Sequence, residues 1–191
     1  MYAFKNNYFL IIENIKDINL KYIKLTNKFT IIFRNNKKIH NIRDLKRFRL
    51  ACKSKKIDFY IANDAILMTT LKADGLYISA YNSDLRLNRF KISNYKIIGS
   101  AHNIKELNIK RKQGCTKFIY SRLFETKYKH KKGFLGVIRF NLFKNLRKDH
   151  LIPLGGINLK NLTKLKLINS TSFAIMSEIK KKPANIINRL F

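Results

Sequence analysis

The sequence predicts an α/β protein, a compact (β/α)8 TIM barrel with short helices, and three features carry that prediction. Short, near-continuous apolar runs alternate with helical stretches to the end of the chain. Runs without polar alternation are strands buried on both faces, which is how parallel sheets are built. Polar groups recur at or just beyond the runs, at Arg34, Asn63, Asp64, Ser100, Lys129, Gly156 and Ser177. Closing a barrel would bring them to one face. Finally, the run Leu151-Ile152-Pro153-Leu154 ends in Gly155-Gly156 and leads toward a helix start. Bare backbone N–H groups at such a turn make a seat for phosphate, although Gly-Gly is equally ordinary turn punctuation. A doubly wound open sheet fits the same alternation but does not supply the convergence. At 191 residues the chain is read as one barrel domain, 1–191, with trimmed loops compared with the ~250 residues usual for this fold.

The elements follow in order. Phe9 to Ile12 is the first strand, and the polar stretch to Lys28 is a poor short helix. Thr30 to Phe33 is the second strand, with Arg34 at its end, and Asn41 to Lys55 is a helix capped by Asn41 or Asp44. Phe59 to Ala62 is the third strand, closed by Asn63-Asp64 and followed by a short helix from Ala65 to Leu71. Gly75 to Ser79 is the fourth, and Asp84 to Phe90 makes at best a short helix. Tyr95 to His102 is a strand expected to break at Gly99-Ser100, before a helix from Ile104 to Lys112. Lys117 to Tyr120 is the sixth strand, Ser121 to Gly133 a long basic loop, and Gly136 to Leu146 a helix with Phe140, Leu142, Phe143 and Leu146 inward. After the Gly-Gly strand come a helix from Leu159 to Leu167, an eighth strand from Phe173 to Met176, and a last helix from Pro183 to Leu190.

Composition narrows the function. With 46% hydrophobic and 12% aromatic residues the chain has enough apolar surface to fold. Its 41 Lys and Arg against 11 Asp and Glu leave a net charge of +30. That surplus favours phosphorylated small molecules or nucleic acid, while its even scatter also fits a lysine-rich coding bias. No RNA- or DNA-binding motif stands out. Cys52 and Cys115 lie far apart with no metal-ligand spacing, so two reduced thiols in a cytoplasmic protein are expected. No apolar stretch approaches the ~18 residues of a membrane span. Self-association stays open.

Several pieces stand in order along the chain: Phe33-Arg34, Ile61-Ala62-Asn63-Asp64, Ala73-Asp74-Gly75-Leu76-Tyr77-Ile78 and Ile98-Gly99-Ser100-Ala101-His102 with Glu106. Further on come Leu123-Phe124-Glu125-Thr126-Lys127-Tyr128-Lys129, Pro153-Leu154-Gly155-Gly156-Ile157 and Phe173-Ala174-Ile175-Met176-Ser177-Glu178-Ile179. Together they resemble the thiamine phosphate synthase and thiazole tautomerase family. The resemblance implies a transferase of thiamine biosynthesis that joins a pyrimidine methyl diphosphate to a thiazole phosphate and releases pyrophosphate, with Mg2+ as cofactor. It implies Arg34 and Lys129 as diphosphate cations, Ser100 as a hydroxyl donor, and Asn63 near the diphosphate. Thr126 would lie over the thiazole, and Gly156 and Ser177 would hold the thiazole phosphate. Asp64 would be a metal ligand, with Asp84 standing in for a second carboxylate because the family's His-x-Gly-Gln-x-Asp pattern reads here Tyr77-Ile78-Ser79-Ala80-Tyr81-Asn82. The tautomerase's acid/base His falls at Arg122, which stays protonated at neutral pH and cannot shuttle a proton. His102 is read as structural. The alternatives are a catalytically degenerate member that binds a phosphorylated thiazole-like ligand, and a basic nucleic-acid-binding protein on the same fold.

Overall fold

The computed structural model describes residues 7–24, 27–35, 41–93, 95–126, 133–181 and 183–188. Eight parallel strands form one sheet: β1 (Asn7–Ile12), β2 (Phe29–Phe33), β3 (Asp58–Ala62), β4 (Gly75–Ile78), β5 (Lys96–Ala101), β6 (Lys117–Ser121), β7 (His150–Leu154) and β8 (Ser172–Ile175). Their order is β7-β6-β5-β4-β3-β2-β1-β8, so the first strand pairs with the last and the sheet curls into a nearly closed barrel. The two ends of this order, β7 and β8, lie side by side. Here Ser170 spans the seam, its buried hydroxyl donating to Leu151 O (2.8 Å) and accepting from Ser172 N–H (3.3 Å).

Among the described residues, seven helices lie between or after the strands: α1 (Ile42–Ser54), α2 (Ala65–Thr70), α3 (Arg89–Ile92), α4 (Ile104–Lys112), α5 (Gly136–Asn145), α6 (Ser177–Lys181) and α7 (Pro183–Asn188). Asn41 caps α1, accepting from Arg43 N–H at 3.0 Å and Asp44 N–H at 3.4 Å. Asp64 caps α2 through Leu67 N–H at 2.8 Å. At α4, the N-cap Asn103 accepts Glu106 N–H through Oδ1, and the Glu106 carboxylate accepts the backbone N–H of His102, one residue before the cap.

Alternation along each strand separates two buried clusters. Phe9, Ile11, Ile32, Tyr60, Tyr77, Ile98, Ile119, Ile152 and Ala174 fill the barrel, every strand contributing. Their neighbours in sequence, such as Leu10, Ile31, Phe59, Ile61, Leu76, Ile97 and Phe118, pack outward with the helices. The Ala73-Asp74-Gly75 piece belongs to this framework. One Asp74 oxygen accepts Phe59 N–H of β3 (2.7 Å) while the other pairs with Arg49 of α1 (2.8 Å). A Cβ on Gly75 would collide with the Lys96 carbonyl and the Tyr60 ring.

Four expectations change. The stretch before Lys28 holds two 3-10 turns, Ile15–Asp17 and Leu20–Tyr22, not one helix. β5 does not break at Gly99-Ser100 but runs through to Ala101, because Gly99 is needed there: a Cβ would lie 2.8 Å from Cys115 Sγ and 2.9 Å from Lys110 Cβ. The helix after the Gly-Gly turn shortens to a 3-10 segment, Leu162–Leu167, since the Asn158 and Asn161 side chains take up backbone groups in the intervening loop. On α5, Phe140 is buried but Leu142 and Leu146 are 59% and 85% exposed. At about 100° per residue they point away from Phe140.

Two predictions follow from packing and burial. Gly75→Ala should lower the urea midpoint by the equivalent of about 1–3 kcal/mol, because the obstructing carbonyl is backbone and cannot swing aside. Burial also holds the Lys110 ammonium down to about 8 and pushes the Cys52 and Cys115 thiols up to about 12. From pH 8 to 9 the unfolded chain keeps a proton on Lys110 that the folded chain sheds, so stability should rise with pH. Above pH 9 the unfolded thiols ionise while the buried ones do not, and stability should fall again. Chemical denaturation across pH 7.5–10.5 checks this, and Lys110→Met should flatten the first rise.

Candidate active site at the C-terminal ends of the strands

The period of two that fills the barrel also determines what stands at its mouth. Arg34 lies two residues beyond the inward Ile32 and Ser100 two beyond the inward Ile98, so both continue the inner face toward the C-terminal ends of β2 and β5. Both act on Tyr77. The Tyr77 phenol, fully enclosed in the barrel, is raised above its usual pKa by burial, while a hydrogen bond with the Ser100 hydroxyl and the nearby Arg34 charge act against that rise. Arg34 Nε is buried with no hydrogen-bond partner among the described residues. An unsatisfied guanidinium nitrogen at the end of a strand is a donor prepared for an anion.

Next to it, Asn63 adopts φ 59° as the chain leaves β3. A left-handed residue suits Asn better than most side chains, and here the amide is used in full. Its Nδ2 donates to Ser79 Oγ (2.7 Å) and to the Tyr81 hydroxyl (3.0 Å). Its Oδ1 accepts Ser79 N–H (2.9 Å) and Asn82 Nδ2 (3.3 Å). Asn63 therefore stitches the β3 end to the loop after β4. Sequence reading missed Tyr77, Ser79 and Tyr81 as parts of this rim, although the phase that turns Tyr77 inward was already present in the alternation.

The carboxylates differ. Asp64 is exposed and gives Oδ1 to its helix cap. Asp84 caps the 3-10 turn Leu85–Asn88 and is gripped by Arg86, with Nε to Oδ1 and Nη2 to Oδ2 both at 2.9 Å. Those bonds hold the Asp84 carboxyl below its usual range. Among the described residues no group of three or more His, Cys, Asp or Glu side chains could hold a metal ion. Asp64 could hold a cation only together with oxygens from a bound substrate, the way magnesium is commonly held by one or two carboxylates plus phosphate. Asp84, already paired with a guanidinium, does not fit.

On the far side of the mouth, Gly155 and Gly156 both have positive φ, 103° and 68°. Neither N–H finds an acceptor among the described residues, and the turn leads to a 3-10 segment at Leu162 instead of the expected helix N-terminus. The glycine at 156 is required: a Cβ would lie 2.6 Å from the Phe124 carbonyl carbon and oxygen. The β6 loop is tied to this turn by Leu123 N–H to Leu154 O (2.9 Å) and Phe124 N–H to Gly155 O (3.0 Å). Arg122 braces the same loop, donating to Thr126 Oγ1 (2.8 Å) and Gly133 O (2.7 Å). Ser177 opens α6 just past β8 and is exposed. Lys129 lies outside the described residues. His102 pairs with Glu106 (2.9 Å) as part of the α4 cap.

The comparisons with known proteins agree with this arrangement. A family model described as thiamine monophosphate synthase matches residues 6–179. A thiamine-phosphate synthase of Pelagibacter ubique is 30% identical over 153 residues, 76% of this chain and 72% of that protein. One from Prochlorococcus marinus is 28% identical over 139 residues, where the match takes in 72% of this chain but only 40% of the longer relative. Among solved structures, a thiamine phosphate pyrophosphorylase from Pyrococcus furiosus superposes with a TM-score of 0.71 at 15% identity, covering 99% of this chain and 98% of that one. That likeness shows the fold, and the match over residues 6–179 shows the kinship: the chain belongs to the thiamine monophosphate synthase family.

Proposed function

We propose that this protein joins a pyrimidine methyl diphosphate to a thiazole phosphate, releasing pyrophosphate and forming thiamine phosphate, among the phosphorylated metabolites of the cytoplasm. The observation that carries the reading is the Arg34 Nε, unsatisfied among the described residues at the C-terminal end of β2, on the barrel face that also holds the Gly155-Gly156 turn with its two unbonded N–H groups. Two phosphate-accepting places on one barrel face suit two phosphorylated substrates. In the reaction the thiazole nitrogen forms a bond to the pyrimidine methylene carbon while that carbon's bond to the diphosphate oxygen breaks, its electron pair leaving with pyrophosphate.

Arg34 would neutralise the oxygens that gain charge as the diphosphate departs, and Lys129 is proposed to join it from the β6 loop. Ser100, held by Tyr77, offers its hydroxyl to the diphosphate or the pyrimidine. The Gly155-Gly156 N–H groups and Ser177 would hold the thiazole phosphate, with Thr126 over the ring. Asn63 positions the β3 rim for the first substrate, and magnesium bound with the diphosphate at Asp64 would supply further charge neutralisation. A preorganised cation at a leaving group contributes about 10²–10³ in rate.

Incubation of the purified protein with both precursors and magnesium should yield thiamine phosphate, and product no higher than background overturns the reading. Arg34→Ala should lower kcat about 10²-fold or more, measured in the same assay, with thiazole phosphate binding intact. Gly156→Ala should instead weaken thiazole phosphate, because the loop at Phe124 must give way. A second reading, binding without coupling, draws on the Arg86 guanidinium that occupies Asp84. On that reading thiazole phosphate raises the Tm while pyrophosphate with magnesium adds nothing.

A further inference from the structure

Beneath the loop that follows β4 lies a lysine with no exposed surface and no carboxylate bonded to it among the described residues. Lys110 is on the barrel side of α4, and its stem passes under Gly99, where any side chain would collide with its Cβ and Cγ. The ammonium donates to the backbone carbonyl of Asn82 and to Gln113 Oε1, the latter at 2.9 Å. Gln113, equally buried, turns its Nε2 to Asn82 O and Asp84 O, both at 3.0 Å. Two side chains three residues apart on one helix end therefore hold two carbonyls of a loop.

What that loop carries gives the arrangement its meaning. The Asn82 side chain donates to Asn63 Oδ1 (3.3 Å), the oxygen that also accepts Ser79 N–H, while Asn63 Nδ2 reaches Ser79 and Tyr81. Two hydrogen bonds, one on the Asn82 carbonyl and one from the Asn82 side chain, thus join Lys110 to Asn63, the residue before Asp64 at the barrel mouth. Gln113 alone already bonds both loop carbonyls, and a buried ammonium is an unfavourable way to add one more bond. A charge-assisted bond is shorter and stronger than one between neutral groups. That strength fixes the Asn82 backbone from which the side chain reaches Asn63.

We infer that Lys110, with Gln113, is a positioning residue for the diphosphate end of the site: through Asn82 it sets the Asn63 amide, and with it the β3 and β4 rim. This inference rests on the proposed coupling reaction. It differs from any role of Lys110 in overall stability, because the path ends at one substrate and not at both.

The test is Lys110→Met, which keeps the buried stem and removes only the ammonium. KM for the pyrimidine diphosphate should rise about tenfold, as is common when a supporting partner is lost, with KM for thiazole phosphate unchanged. Amide hydrogen exchange across 79–88 should quicken while the urea midpoint at pH 7 holds or rises. An equal rise in both KM values, or no rise in either, overturns the inference. If the wild-type protein proves unable to couple its substrates, calorimetry with inorganic pyrophosphate and with thiazole phosphate replaces the KM comparison, and the same split is expected. Should the wild-type bind neither, the reaction reading falls. The positioning claim is then judged by exchange, and unchanged exchange across 79–88 overturns it.

Discussion

A strand in a closed parallel sheet has no solvent face. One set of side chains fills the barrel and the other meets the helices, so each strand is apolar on both sides until it ends. In this chain that constraint separates the inner set, from Phe9 to Ala174, from the outer set led by Leu10 and Ile31. It also means that polar chemistry can begin only where the packing stops. Arg34 and Ser100 are the next inward positions after Ile32 and Ile98, which is why the Tyr77 phenol feels both a guanidinium charge and a hydroxyl.

Loops complete what the strands start, and each is held by backbone geometry more than by side-chain bulk. The Gly155-Gly156 turn exists in its form because the Phe124 and Glu125 backbone lies against it. Arg122, placed where a tautomerase would need a proton shuttle, instead braces the β6 loop at Thr126 and Gly133. Asn63 spends its whole amide on Ser79, Tyr81 and Asn82, converting a strained φ into a stitched rim. Buried polar groups elsewhere follow the same logic: Asp74 joins α1 to β3, Ser170 joins β7 to β8, and Lys110 joins α4 to the β4 loop. None of these is an isolated ion pair on the surface, where such pairs contribute little.

The surplus of 30 positive charges stands beside this architecture without explaining it. Much of the basic surface is spread over helix faces and loops, and among the described residues no helix is long and apolar enough to cross a membrane. The charge that matters at the mouth is local: among the described residues, a guanidinium whose Nε has no partner and a carboxylate at a helix cap. Asp84 illustrates the difference, since a neighbouring arginine two residues on takes both of its oxygens.

Strand positions, the barrel and a cap at Asn41 or Asp44 were legible in the sequence because they depend on local pattern: short apolar runs, and Asn or Asp before a helix; the structure selects Asn41. Arg34 and Ser100 were legible as polar groups at strand ends, while their inward phase after Ile32 and Ile98 came from the structure. The uninterrupted course of β5 through Gly99, the outward turn of Leu142 and Leu146, and the pairing of Asp84 with Arg86 were decided by contacts. So was the reach of Lys110 to a carbonyl 28 residues earlier in the chain. Spacing tells which face a residue takes on its own element; which distant backbone group waits on that face is known only once eight strands have closed around their core.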